Sequence, residues 1–425
     1  MTTRTKGLGP ILAVNFAGSL GYTIVMPFLV FLVTQWGGDA IVYALVSVAY
    51  SAFQLVGAPL LGRWSDVVGR KRVLAVSQAG GAISWLVALA AFYLPVATLA
   101  QVEAPLLGSF TLTLPVVVLF LARALDGLTG GNVSVANAYV ADISPPAQRD
   151  ANFGKLAASA NVGVVLGPAL AGLLAATALG YQLPVLVAAA VSFAATLLIV
   201  LRLPDLRPAG GRSVPTAPSA LDVCGGQKHV QGASAAMKVR DILRLPRVAL
   251  LLSASFLTNL AFNIFNITLP VWAVKELTWT PGGMGVFFAV MSLAMVIVEG
   301  PGLTRLSRVC SDSALIGLGS LVLGLGFLAL TSHTTPVVFA GAVLIAVGNG
   351  LMWPLILALL SDKAGRHQGA VQGLAGSTGA VAAILGLLLG GLLYAPLQAW
   401  LFVVAAALIF IVGIMAWWSR RQSPS

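Results

Sequence analysis

Two ionisable side chains stand three residues apart inside the fourth long apolar stretch of the sequence: Arg123 and Asp126, in Arg123-Ala-Leu-Asp126-Gly127. A charge in hydrocarbon costs several kcal/mol unless it faces a protein interior and is paired. Positions three apart share one face of a helix, so these two can pair. Such a pair is either a fixed structural bridge or a carboxylate that takes up and releases a proton. Both readings stand on the residues alone. No nucleophile, base or metal-ligand cluster accompanies it, which argues against an enzyme.

A second charged constellation is Gly62-Arg-Trp-Ser-Asp66-Val-Val-Gly69-Arg70-Lys71-Arg72, a short segment between two apolar runs. Gly62 and Gly69 suit tight backbone at two helix ends. Asp66 among four cations can cap a neighbouring helix and pair with arginine, a latch that holds one conformation. A plain basic loop explains the arginines but not the spaced Gly, Asp and Gly. Asp142, which ends the fourth run, is expected to meet these cations.

Neutral groups come next. Gly163-Val-Val-Leu-Gly167-Pro168-Ala-Leu-Ala-Gly172 places glycine where helices approach closely and proline where one bends. Ordinary membrane packing also uses small residues. Amides inside apolar runs are pathway candidates: Asn15, Gln54, Asn137 and Asn161 in the first half, and Asn259, Asn263 and Asn266 in the seventh run. Phe262 shares a helical face with that last trio. Asn349 and Trp353 share a face of the tenth run, and Gln372 lies in the eleventh. Amides with aromatic rings suit an amphipathic organic ligand. The blander use of any one amide is a bond to the next helix, worth about 0.6 kcal/mol. Glu299, at the end of the eighth run, is either a coupling carboxylate or a snorkelling one.

The elements that must position these groups follow from composition. Of 425 residues, 58% are hydrophobic and 9% charged, against roughly 25% charged in soluble proteins; the mean hydropathy is +0.96. Lipid is therefore the solvent for most of the chain. Twelve runs of bilayer length occur, at about 11–33, 41–62, 72–96, 113–141, 152–176, 183–203, 247–273, 281–302, 314–331, 336–360, 368–394 and 397–418. With both termini cytoplasmic, all but Arg123 and Lys275 of the 24 Lys and Arg lie on the cytoplasmic side. The formal charge of +11 thus reads as membrane topology. No basic stripe with interleaved aromatics is available for nucleic acid. Cys224 and Cys310, both placed on the cytoplasmic side, are not expected to form a disulfide.

A Pro-, Gly- and Ser-rich basic stretch, 204–246, reads as a cytoplasmic linker. It divides an N-terminal bundle of six spans, 1–203, from a C-terminal bundle of six, 247–425. The halves read as repeats: Gly167 stands 25 residues after Asp142, and Gly386 stands 24 after Asp362.

The segment from Gly62 to Lys71 resembles the G-x-x-x-D-x-x-G-R-K/R signature of the major facilitator superfamily, with Gly62, Asp66, Gly69, Arg70 and Lys71 matching position for position. Arg123 and Gly127 match the R-x-x-x-G motif of its proton-coupled members. The Gly-Pro run resembles the signature of its drug/proton antiporters, with Ala171-Gly172 where Gly-Gly is common. Ala138-Tyr-Val-Ala-Asp142-Ile-Ser-Pro resembles the tetracycline-efflux branch, although Asn15 stands where tetracycline pumps carry an acid. The second-half counterpart, Gly302-Leu-Thr-Arg305-Leu-Ser-Arg308, lacks the central acid.

The resemblance implies an all-α membrane protein of twelve transmembrane helices in two six-helix bundles, the major facilitator fold. It implies a secondary transporter that exports small amphipathic organic compounds by alternating access. The drive would be a proton gradient through Asp126 and Arg123, with no cofactor. The expected setting is the plasma (inner) membrane, as a monomer whose partners are lipid, protons and a small-molecule substrate, with no nucleic acid. The alternative is a facilitator or importer of a metabolite such as a sugar or organic acid. From another class, a sensor would add a soluble domain, for which 204–246 is too short.

Overall fold

The structure is a computed structural model that describes residues 7–104, 108–130, 132–145, 148–175, 177–205, 242, 247–364 and 368–421. Most of the expected linker, 204–246, lies outside the described residues.

Lipid offers no hydrogen bonds to the backbone, so apolar runs of this length must close their own bonds as helices. The first half holds α1 (Leu8–Val25), α2 (Leu29–Gln35), α3 (Ala40–Val68), α4 (Arg70–Ala90), α5 (Leu114–Thr129), α6 (Asn132–Ile143), α7 (Arg149–Ala175) and α8 (Gln182–Arg202). The second holds α9 (Val248–Glu276), α10 (Pro281–Ile297), α11 (Leu303–Leu306), α12 (Asp312–Ala329), α13 (Thr335–Ala364), α14 (Gln368–Leu392), α15 (Tyr394–Leu397) and α16 (Trp400–Arg421). A 3₁₀ turn, Met26–Phe28, joins α1 to α2 as one span. Among the described residues, 11 helices are long and apolar enough to cross a membrane. The shorter apolar α10 continues through a π-helical segment, Val298–Gly302, that carries Glu299.

By contacts the chain forms two compact units: Met1–Gly210 with Ala273–Ser292, and Gly211–Trp272 with Leu293–Ser425. In the first, α1 packs on α7 and α8, and α4 bridges α5 and α8. One buried cluster there joins Ile11 and Val14 of α1 to Val73 and Leu74 of α4 and to Val135, Tyr139 and Val140 of α6. In the second unit α12 packs on α13 and α16.

Three sequence expectations change. Gly62 does not end a helix. Nothing after it breaks the α-helix, so α3 runs six residues further, to Val68. The turn into α4 is the single residue Gly69, whose φ of 102° is open only to glycine without strain. Next, the fourth run crosses as one span, Leu114–Ile143, but not as one unbroken helix. α5 stops at Thr129, with Gly130 as its cap, and α6 restarts at Asn132. Last, the loop before α5 folds into an antiparallel hairpin of β1 (Thr98–Ala104) and β2 (Gly108–Thr113). Its alternating Ser109, Phe110, Thr111, Leu112 fits a strand. The Thr113 hydroxyl donates to the Trp36 carbonyl at 2.7 Å, which anchors β2 to the end of α2.

Candidate functional site

The geometry around Arg123 and Asp126 starts from a glycine. A Cβ on Gly127 would sit 2.3 Å from the Tyr50 carbonyl oxygen, so α5 and α3 cross here only without a side chain. The crossing brings the Tyr50 ring to 4.5 Å from the Arg123 guanidinium carbon; the Tyr22 ring lies at 5.3 Å and that of Trp85 at 5.6 Å. Arg123 is 1% exposed, and its Nη1 donates to Asp126 Oδ2 at 2.9 Å. Nε and Nη2 have no hydrogen-bond acceptor among the described residues. Ring faces replace water around a buried cation, and one carboxylate oxygen neutralises it.

The broken end of α5 is tied in place by polar side chains. Gln54 Nε2 donates to the Tyr50 hydroxyl at 2.9 Å and to the Gly130 carbonyl at 3.2 Å. The Ser77 hydroxyl donates to the Thr129 carbonyl, and Gln78 Nε2 to the Val14 carbonyl at 3.3 Å. Asp126, Thr129 and Gly130 then line a cavity of about 40 Å³ with Gly18, Tyr22, Tyr50, Ser77, Gln78, Gly81, Trp85 and Ser192. Sequence reasoning singled out Arg123 and Asp126 as a pair and Gln54 as a pathway amide, which here ties the end of α5. It passed over the three rings and the serines, which came from spans with no charge to draw attention. The signal available was that a buried guanidinium needs π faces or acceptors.

At the start of α4, Arg70 Nη1 meets Asp66 Oδ1 at 2.5 Å and the Ser65 hydroxyl at 2.5 Å, while its Nε meets Asp142 Oδ2 at 3.3 Å. Asp66 therefore pairs one turn along the chain, and no side chain caps α4, which differs from the expected helix cap. Lys71 is half-buried beside them.

The glycine-rich face of α7 lies on α1. A Cβ on Gly163 would meet the Phe16 carbonyl at 2.7 Å, and one on Gly167 the Thr23 hydroxyl at 2.0 Å. The Thr23 hydroxyl donates to the Gly163 carbonyl at 3.1 Å. Pro168 sits inside the helix. Gly172 meets Gly285 of α10 so closely that a Cβ on either would lie within 2.5 Å of the other's Cα.

The amides separate into kinds. Asn15 is buried and donates to the Leu156 carbonyl at 2.8 Å and the Ser159 hydroxyl at 3.2 Å, fastening α1 to α7. Asn137 and Asn161 are exposed. Asn259 and Asn263 donate to carbonyls one turn back in α9, those of Ser255 and Asn259, at 2.9 and 2.8 Å. Both border glycines of α14: Gly379 faces Asn259 and Gly386 faces Asn263. Phe262 stacks edge-on with Phe265 and Phe327, and Asn266 is half-buried on the same helix. Asn349 is buried and Trp353 half-buried on α13. The Gln372 side chain lies outside the described residues.

A bundle of membrane-spanning helices with a buried ion pair over a polar cavity is the build of a multi-pass transporter. The sequence model of the Major Facilitator Superfamily matches residues 11–311 and 251–425, and the chain belongs to that superfamily. It is 25% identical over 412 residues to the class E tetracycline resistance protein of Escherichia coli, covering 95% of this chain and 93% of that protein. Among solved structures it is similar to the human organic anion transporter MFSD10 (TETRAN), with a TM-score of 0.66 at 20% identity, covering 98% of this chain and all (100%) of that one. It is also similar to a mutant of peptide transporter POT in complex with sulfate, with a TM-score of 0.71 at 16% identity, covering 98% and 94%.

Proposed function

We propose that this transporter is a proton-coupled exporter of small amphipathic organic compounds, working by alternating access. The observation that carries the reading is the Arg123–Asp126 pair, buried in the bundle yet opening on a polar cavity. A proton on Asp126 cancels the carboxylate that holds Arg123 and leaves the guanidinium to its three ring faces. The two protonation states thus favour different arrangements of α5 against α3 and α4. That is what coupling needs: one ligand, the proton, must interact differently with two states. The tetracycline resistance relatives and the glycine run at Gly163, Gly167, Pro168 and Gly172 support an antiporter. Asp66, Arg70, Asp142 and Lys71, about the turn at Gly69 and with Gly62 two turns earlier in α3, serve as the latch that one state makes and the other breaks.

In this reading the halves 1–203 and 247–425 are the moving bodies, 204–246 is a cytoplasmic linker, and a monomer suffices. Both termini are cytoplasmic in the plasma (inner) membrane. Asn259, Phe262, Asn263, Asn266, Asn349, Trp353 and Gln372 contribute amides and rings to the substrate path; Asn137, Asn161, Gln54 and Asn15 serve it from the other half, Asn15 also as a tie.

The second reading, carriage of an organic anion, is favoured by the unaccepted Nε and Nη2 of Arg123 and by the similar human organic anion transporter. Purified protein in liposomes with an imposed pH gradient decides between them. Gradient-driven movement of ethidium or tetracycline, with none of glucose or benzoate, is the expected result. Movement of benzoate alone would establish the second reading.

A further inference from the structure

Asp126 has two oxygens with different surroundings. Oδ2 is taken by Arg123. Oδ1 faces the cavity: a Cβ built on Gly81 would lie 3.7 Å from Oδ1 and 3.9 Å from the Ser192 hydroxyl oxygen. One built on Gly21 would lie 3.5 Å from the same hydroxyl. A carboxylate oxygen from α5 and a buried hydroxyl from α8 therefore border one void that two glycines leave open. The void, about 40 Å³, has room for a small cluster of waters and is far below the several hundred Å³ of an organic-ligand pocket. Its walls supply the two to four polar partners that a buried water requires: Ser77, Gln78, Thr129, Ser192 and Asp126.

We propose that this cavity is a proton-exchange chamber, in which Asp126 Oδ1 gains and loses its proton through water positioned by the Ser192 hydroxyl. The proposal rests on the proton-coupling reading above and adds the route. A hydronium in the chamber gives its proton to Oδ1; one O–H bond breaks as the carboxyl O–H forms, leaving a water and a neutral acid. The reverse step regenerates the carboxylate. The ionisable groups facing Asp126 are Arg123 on its own helix, Tyr22 of α1 and Tyr50 of α3. Among the described residues lining the cavity, α4 brings Ser77, Gln78, Gly81 and Trp85 and α8 brings Ser192, none of which ionises. The adjacent guanidinium opposes a metal cation in the same place. Ser192 is thus a positioning residue, and Gly81 is a spacer.

Gly81→Ala is a mild probe, because its methyl would rest in ordinary contact with both oxygens while displacing water. Infrared pH titration of the purified full-length protein in lipid nanodiscs reads the Asp126 carboxyl directly, with no substrate. The band is assigned by its loss in Asp126→Asn. In Gly81→Ala and in Ser192→Ala its pH midpoint is displaced by about one unit, exchange of its proton for deuterium slows about tenfold, and Ser192→Thr restores both. An Asp126 band that keeps its midpoint and exchange rate in Gly81→Ala and Ser192→Ala overturns the chamber and leaves the coupling reading standing. A wild-type protein with no Asp126-dependent band between about pH 4 and pH 10 overturns both. A midpoint that moves with sodium concentration at fixed pH overturns the chamber in favour of a cation site.

Discussion

Arg123 is the most demanding residue in the membrane part of this chain, being almost wholly buried with two of its nitrogens lacking a protein acceptor. Removing one member of a buried pair strands the other charge and costs about 3–5 kcal/mol, whereas replacing both by well-packed apolar groups is often neutral. Arg123→Leu should therefore lower the thermal unfolding temperature markedly, and Arg123→Leu with Asp126→Leu should recover most of it while transport stays absent. Stability with transport recovered in the double variant would make the pair structural only. Thermal melts in detergent, followed by transport in liposomes, report the two quantities separately. Arg70 is the opposite case. Its partners Asp66 and Asp142 are solvent-accessible, and exposed pairs contribute about 0–1 kcal/mol. Asp142→Asn should leave the melting temperature nearly unchanged and still slow transport, because the proposed latch acts by choosing between conformations.

The elements place these residues through close helix crossings, and the crossings are legible in part. Gly127 was marked by its motif, but the reason for it is spatial: the backbone of Tyr50 occupies the place of a side chain. Gly127→Ala should destabilise the fold by about 1–3 kcal/mol, the usual cost of overpacking, while Gly81→Ala should melt close to wild type; equal losses would mean that the crossing is not what holds α5. The long apolar runs, their number and the breaks near 69 and 180 could be read from composition, since a helix is the only way to satisfy backbone in lipid. Two features were not legible. The hairpin of β1 and β2 is too short to stand out between long apolar runs, and its Thr113 anchor to Trp36 joins residues 77 apart in the chain. The interruption at Gly130 carries no proline; it is seen only in the side chains of Gln54 and Ser77 that take up the freed carbonyls.

For the whole molecule, charge asymmetry is the basis of the proposed orientation in the bilayer, and it gives a test independent of transport. Leu99 on β1 is exposed, as is the native Cys310 after α11. A membrane-impermeant maleimide applied to intact cells should label Leu99→Cys, and should reach Cys310 only after the membrane is opened. Labelling in the reverse order would invert the proposed topology. The superfamily follows from the match across nearly the whole chain, and in the sequence the same conclusion rested on residues 60–172. The substrate path was less legible. Amides that looked alike in the sequence divide into helix ties such as Asn15 and self-bonded groups such as Asn259 and Asn263, a distinction only three-dimensional neighbours can make.

The central claim is that proton movement through Asp126 drives transport. Its most direct measurement uses liposomes with a pH-sensitive dye trapped inside, an imposed pH gradient, and ethidium or tetracycline, whichever the wild-type protein moves. Wild type should move protons and substrate in opposite directions. Asp126→Asn should lose both gradient-driven fluxes yet retain exchange of labelled for unlabelled substrate at equal pH. If Asp126→Asn moves substrate against its gradient at the wild-type rate, with proton flux intact, the coupling does not run through this residue.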